Sequence, residues 1–107
     1  MKIKVRFLEG IRDKTGEKES NIDFPTKEEI TLRSLMIFLL KKYGEDLAEI
    51  VFWKQSEEQI HSFMNNESDL SIKHVKYIMN GNIINYTPSY MIKDGDVVVL
   101  FLPLAGG

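Results

Sequence analysis

The residues of this chain best placed to take part in chemistry stand at its end, where Leu104-Ala105-Gly106-Gly107 follow Pro103. Glycine has no side chain to jam a narrow channel, and it adopts backbone conformations closed to other residues. Extended at about 3.3 Å per residue, these four positions reach roughly 13 Å, enough to enter the cleft of another protein. The pattern suggests an arm on which a partner acts; the plainer alternative is an ordinary chain end of small residues.

Chemistry by side chains has little support. His61 and His74 have neither cysteines nor an H-E-x-x-H pattern beside them, so no metal site is expected. Glu57 and Glu58 read as charge at a helix start rather than as an acid/base pair. Gly10, Gly16 and Gly44 form no phosphate-binding loop. The chain has no cysteine. Disulfides, thiolate ligands and a cysteine-borne thioester or persulfide are therefore excluded, and any sulfur or acyl chemistry must use another atom.

With 107 residues, 43% hydrophobic and 28% charged, the chain has the makings of one globular domain. Fourteen basic against sixteen acidic residues give a formal charge of -2, which offers no footprint for nucleic acid or an anionic membrane. The longest apolar runs, Leu35 to Leu40 and Val97 to Leu102, fall far short of the roughly 18 residues that span a bilayer. Residues 1–9 alternate charge instead of forming a signal-peptide core, so a cytoplasmic protein is expected.

The arm has to be carried by the element before it. Val97 to Leu102 is a β-rich apolar run between the turn Asp94-Gly95-Asp96 and Pro103, and it reads as a mid-sheet strand buried on both faces. Proline cannot donate to a ladder, so pairing is expected to stop there. Lys2 to Phe7 alternates with period two, which sends Ile3, Val5 and Phe7 inward and Lys2, Lys4 and Arg6 outward. Leu8 follows in phase with the charged face as a candidate exposed leucine.

Asp13-Lys14-Thr15-Gly16 reads as a turn, and Ser20, Ile22 and Phe24 then repeat at period two as a second, hairpin-paired strand. Thr31 can cap a helix from Leu32 to a stop at Gly44, although Glu28 and Glu29 leave room for an earlier start, with Leu32, Leu35, Met36, Leu39 and Tyr43 on one stripe. Ile37 and Phe38 lie off that stripe and call for a cover. It is expected from a short helix through Leu47, Ile50, Val51, Phe52 and Trp53, and from another opened by the S-x-x-Q capping box Ser56 to Gln59. Val75 to Met79 reads as a third strand, Asn80-Gly81 as a hairpin turn, and Ile83 to Tyr86 as a fourth strand. With the first and last strands adjacent and central, the fold class is α+β: a β-grasp (ubiquitin-like) mixed sheet packed on one main helix, with an inserted helical segment. Residues 1–103 are read as the domain, about 45–74 as its insert and 104–107 as the tail.

The segments KIKVRF, IRDKTG, MNGNII and IKDGDVVVLFLPLAGG closely resemble the small subunit of molybdopterin synthase (the MoaD type) and the wider group of ubiquitin-like, ThiS-like sulfur carriers, archaeal small modifiers included. The match covers residues 1 to about 44 and 75 to 107. It departs at Leu102, where such proteins usually carry the first of two prolines, and in the longer stretch Glu45 to His74.

The resemblance implies that the carboxylate of Gly107, next to Gly106, is joined to AMP by an adenylating, ubiquitin-activator-like enzyme using ATP-Mg. A sulfur donor protein then displaces AMP to leave a thiocarboxylate. The large subunit of molybdopterin synthase uses its sulfur in molybdenum or tungsten cofactor synthesis. The chain binds no cofactor itself, and its partners supply the catalytic groups. Partner contacts are implied at Leu8, Ile83 and Phe101, ringed by Lys4 and Arg6, with Leu104 and Ala105 continuing into the cleft. Phe101, in a central strand, could equally be core. The same activated glycine could instead be captured by a lysine of another protein, as in a ubiquitin-like modifier, or the domain could be an interaction module whose tail is never activated.

Overall fold

The computed structural model describes residues 1–25, 29–52, 56–65 and 75–103. Strand β1, Lys2–Phe7, alternates exposed and buried residues along its length, as its period-two pattern requires. Helix α1, Ile11–Thr15, follows, and β2, Glu19–Asp23, returns antiparallel to β1 with Lys4 opposite Asn21 and Arg6 opposite Glu19. The Asp13-Lys14-Thr15-Gly16 segment is thus not a simple turn. It closes one short helix, with Gly16 in the left-handed conformation that terminates helices (φ 75°).

A two-residue strand, β3 (Ile30–Thr31), leads into the main helix α2, Leu32–Tyr43. Thr31 Oγ1 accepts the Ser34 amide at 3.1 Å, the expected cap. Leu32, Leu35, Met36 and Leu39 are fully buried, Leu40 joins them, and Tyr43 is half-buried at the stripe's end with its ring edge-on to Phe7. Helices α3 (Glu45–Val51) and α4 (Glu57–Met64) fall within the expected insert, and α4 opens on the full Ser56/Gln59 capping box. Both helices belong to the core: Leu47, Val51, Phe52 and Phe63 are buried.

They do not cover Phe38, which is 37% exposed and leans on Phe24 with ring centroids 5.0 Å apart. Trp53 and His74 lie outside the described residues.

Strand β4, Lys76–Met79, and β5, Asn82–Ile84, form a hairpin turning on Asn80 (φ 50°) and Gly81 (φ 91°), the paired positive angles of a type I′ turn. β5 is shorter than the expected Ile83 to Tyr86. Past its end, Tyr86 sits 6.1 Å from the Tyr77 ring and 6.4 Å from Phe63, which joins α4 to the sheet. Strand β6, Met91–Ile92, pairs with β3, a two-stranded patch too short to leave a periodic signal. Strand β7, Val97–Phe101, runs parallel to β1 and antiparallel to β4, and the main sheet has the order β2-β1-β7-β4-β5.

The last strand is central, as expected, but it is not buried on both faces. Val98 and Leu100 are core, whereas Val97, Val99 and Phe101 are only half-buried on the side away from α2. Pairing ends at Phe101, before Pro103, and Leu102 leaves the ladder. Among the described residues, no helix is long and apolar enough to cross a membrane.

Candidate functional site

The strand that leads to the C-terminal residues, β7, is fixed at both ends. At its start, Asp94 Oδ1 accepts the Lys2 amide at 2.6 Å, and the Gly95 amide donates to the Lys2 carbonyl at 2.7 Å with Gly95 at φ 86°. Asp96 accepts from the Lys93 amide at 2.8 Å and from the Asn80 side-chain amide at 3.1 Å. Asn80 Oδ1 in turn accepts the Val97 amide at 3.2 Å. The Lys-Asp-Gly-Asp sequence therefore ties β7 to the first strand and to the β4–β5 turn, and sets the direction in which the chain runs toward residue 103.

At the far end the Leu8 amide donates to the Leu100 carbonyl at 3.1 Å. Leu102 rests on Gly10 so closely that a Cβ there would stand 3.0 Å from its Cδ1. Gly10, at φ 76°, is thus required both by its backbone angle and by this contact. Leu102, at the position where the resemblance leads one to expect a proline, packs against the core in place of stiffening the backbone.

The sheet face away from α2 carries a continuous apolar band. Across it run Val99, Ile78 and Ile83, each opposite the next in neighbouring strands, with Arg6 opposite Val99 at its edge. Leu8 is 45% exposed and Ile83 70%, and Leu8 and Phe101 line one groove together with Leu102 and Arg12. The structure thus brings Leu8 and Phe101 together. Ile83 joins them only through Ile78 and Val99, which sequence reasoning missed. Ile78 was legible, since it alternates with Tyr77 and Met79, both buried. Val99 was hidden within an unbroken apolar run.

Lys4 and Arg6 flank the band, each 3.7 Å from Glu19, exposed ion pairs of the kind that add little stability. Leu104, Ala105, Gly106 and Gly107 lie outside the described residues. Of the other candidates, Glu57 and Glu58 occupy the first turn of α4, and His61 is within 2.8 Å of the Asn65 side-chain amide. Among the described residues no group of three acidic or histidine side chains could hold a metal ion.

The arrangement is a rigid platform with an apolar face and basic flank beside the root of a C-terminal segment. It is suited to presenting that segment to another protein. The model of the ThiS family matches residues 5–107. Small archaeal modifier protein 1 (SAMP1) of Haloferax volcanii is similar in fold, with TM-score 0.70, 16% identity and complete coverage of both chains. A putative molybdopterin converting factor subunit 1 of Pyrococcus furiosus aligns with TM-score 0.63 and 28% identity, over 97% of this chain and 99% of its own. Subunit 1 of molybdopterin-converting factor from Helicobacter pylori, solved in complex with subunit 2, aligns with TM-score 0.55 and 23% identity over the whole of both chains. No curated protein matches in sequence.

Proposed function

Since the chain belongs to the ThiS family, as a small ubiquitin-like protein of the MoaD/ThiS type, we propose that it is a sulfur carrier whose working group is the carboxylate of Gly107. The observation that carries this reading is the reach of the family match, which runs through the final Leu-Ala-Gly-Gly to residue 107. The Pyrococcus furiosus likeness supports the narrower assignment to molybdopterin synthesis.

The chemistry follows from the weakness of a carboxylate as an electrophile. A carboxylate oxygen of Gly107 attacks the α-phosphorus of ATP held with Mg in an activating enzyme, and pyrophosphate leaves. The resulting mixed anhydride has AMP as a good leaving group. The outer sulfur of a donor protein's cysteine persulfide attacks the acyl carbon and AMP departs, leaving an acyl persulfide. A second thiol then attacks the donor cysteine's sulfur, forming a disulfide and releasing the thiocarboxylate. A large subunit would then direct that soft nucleophile at a pterin precursor. Such a partner is proposed to rest on Leu8, Ile83 and Phe101 and to admit Leu104, Ala105 and Gly106 into its cleft. These steps need only the arm and the platform from this chain, and a cytoplasmic location, where ATP is available to the partner, is proposed with them.

The adenylate could equally be captured by a lysine of another protein, and the kinship of fold with an archaeal modifier motivates this second reading. Intact-mass measurement of the protein isolated from its native host separates the two. Exchange of one terminal oxygen for sulfur is the expected result. Covalent attachment to larger proteins would favour the modifier, and an unaltered carboxylate under every growth condition would overturn both.

A further inference from the structure

The groove beside the root of the arm is not purely apolar. Arg12, on the short helix α1, lines it with Leu8, Phe101 and Leu102, and also lines an adjoining groove with Arg6 and Lys18. Arg12 is half-buried and lies within ion-pairing distance of no described carboxylate. Two carboxylates border these grooves. Glu19 is already shared between Lys4 and Arg6 at 3.7 Å each, and Glu9, at the groove edge, makes no ion pair with a described residue.

A protein that grips the arm must close over Leu8, Phe101 and Leu102, because these residues lie where the described strand ends. Closing over them with apolar groups alone would strip water from the Arg12 guanidinium without supplying a counter-charge, which opposes binding. A carboxylate at that point would accept a charge-assisted pair of hydrogen bonds and reverse the sign of the effect.

We infer that Arg12 is a specificity-determining contact for the enzyme that activates the arm, and that this enzyme presents there an acidic residue beside an apolar one. The activating enzyme is the chosen occupant because carrier and modifier chemistry both require it, whereas each uses its own later partner. This rests on the activation step proposed above.

The test uses the full-length chain and the adenylating enzyme of the same host, with chain-dependent ATP–pyrophosphate exchange as the readout. Arg12→Glu is expected to raise the KM for the chain about tenfold or more at low salt, with kcat nearly unchanged. Arg12→Lys should recover part of the loss. The gap between wild type and Arg12→Glu should narrow as ionic strength rises from about 0.05 to about 0.5 M. Lys41→Glu makes the same change of net charge on α2, across the sheet from the groove, and should leave KM unaltered. Circular dichroism on each variant establishes that it is folded. Equal KM values for wild type and Arg12→Glu, or equal losses from Arg12→Glu and Lys41→Glu, would overturn the assignment. Failure of the wild-type chain to support exchange at all would overturn the activation step itself, and this inference with it.

Discussion

The Tyr77 hydroxyl is sealed in the core beside Tyr86, and neither hydroxyl has a hydrogen-bond partner among the described residues. A buried unpaired polar group costs about 1–3 kcal/mol, while the ring around it contributes packing. Tyr77→Phe keeps the ring and discards the group that cannot be satisfied, so it should raise stability by about 1 kcal/mol in urea denaturation. A loss of stability would show the hydroxyl to be bonded after all. Burial also raises the pKa of this phenol, and it raises Tyr86 to about 12 against an opposing pull from Arg33. Tyr43 is likewise raised to about 12, first by burial and then by its hydrogen bond to Glu17. The folded state therefore holds these protons more tightly than the unfolded chain, whose tyrosines ionise near 10.0. Their contribution is full below that pH and is lost as pH rises toward 12. Urea midpoints on either side of pH 10 should be flat below it and fall above it. Tyr43→Phe should weaken the fall.

Among the elements, the inserted helices raise the question whether they cover the core or dock something new, and packing answers for α4. Phe63 is fully buried, lies edge-on to Phe52 at 5.4 Å, and carries the Arg33 guanidinium over its ring at 5.1 Å. Phe63→Ala should cost about 3–4 kcal/mol, whereas Phe38→Ser, at an exposed position leaning on Phe24, should cost about 1 kcal/mol or less. Comparable losses at the two sites would mean that α4 is not part of the folding unit. The start of α4 could be read from the sequence because a capping box uses two residues at fixed spacing, whatever surrounds them. Helix α1 could not, since five residues show no period and a glycine that ends a helix looks like a glycine in a turn. The pairing of β3 with β6 was invisible for a related reason: two residues cannot alternate enough to be recognised. The outward side of β7 was misjudged because β-branched residues on both faces erase the contrast that marks a half-buried strand, and only the pairing of Val99 with Ile78 restores it.

For the whole molecule, the proposed function would assign folding to residues up to Phe101 and reaction to the chain end. The β-grasp order, with β1 and β7 parallel at its centre, follows from the apolar character of the first and last strands. The platform's contents, by contrast, depend on cross-strand register, which no single segment reveals. This separation predicts two opposite kinds of variant. Ile83, 70% exposed on the outer face, contributes little to the core. Ile83→Asp should therefore leave the thermal midpoint within about 2 °C of wild type while weakening capture by a large-subunit partner. Removal of Gly107 should also leave the fold intact, because β7 and its ties to Lys2 and Asn80 end before the arm begins. Its effect on chemistry should nevertheless be complete. The carboxylate would be moved back by one residue, roughly 3.3 Å, and under the proposed activation would no longer reach the phosphorus of ATP. Near-identical amide spectra, together with loss of ATP–pyrophosphate exchange in the truncated chain, is the expected pair of results. Exchange that survives the truncation would mean that the reacting group lies elsewhere, and unfolding on truncation would mean that the final residues belong to the domain rather than to an arm it carries.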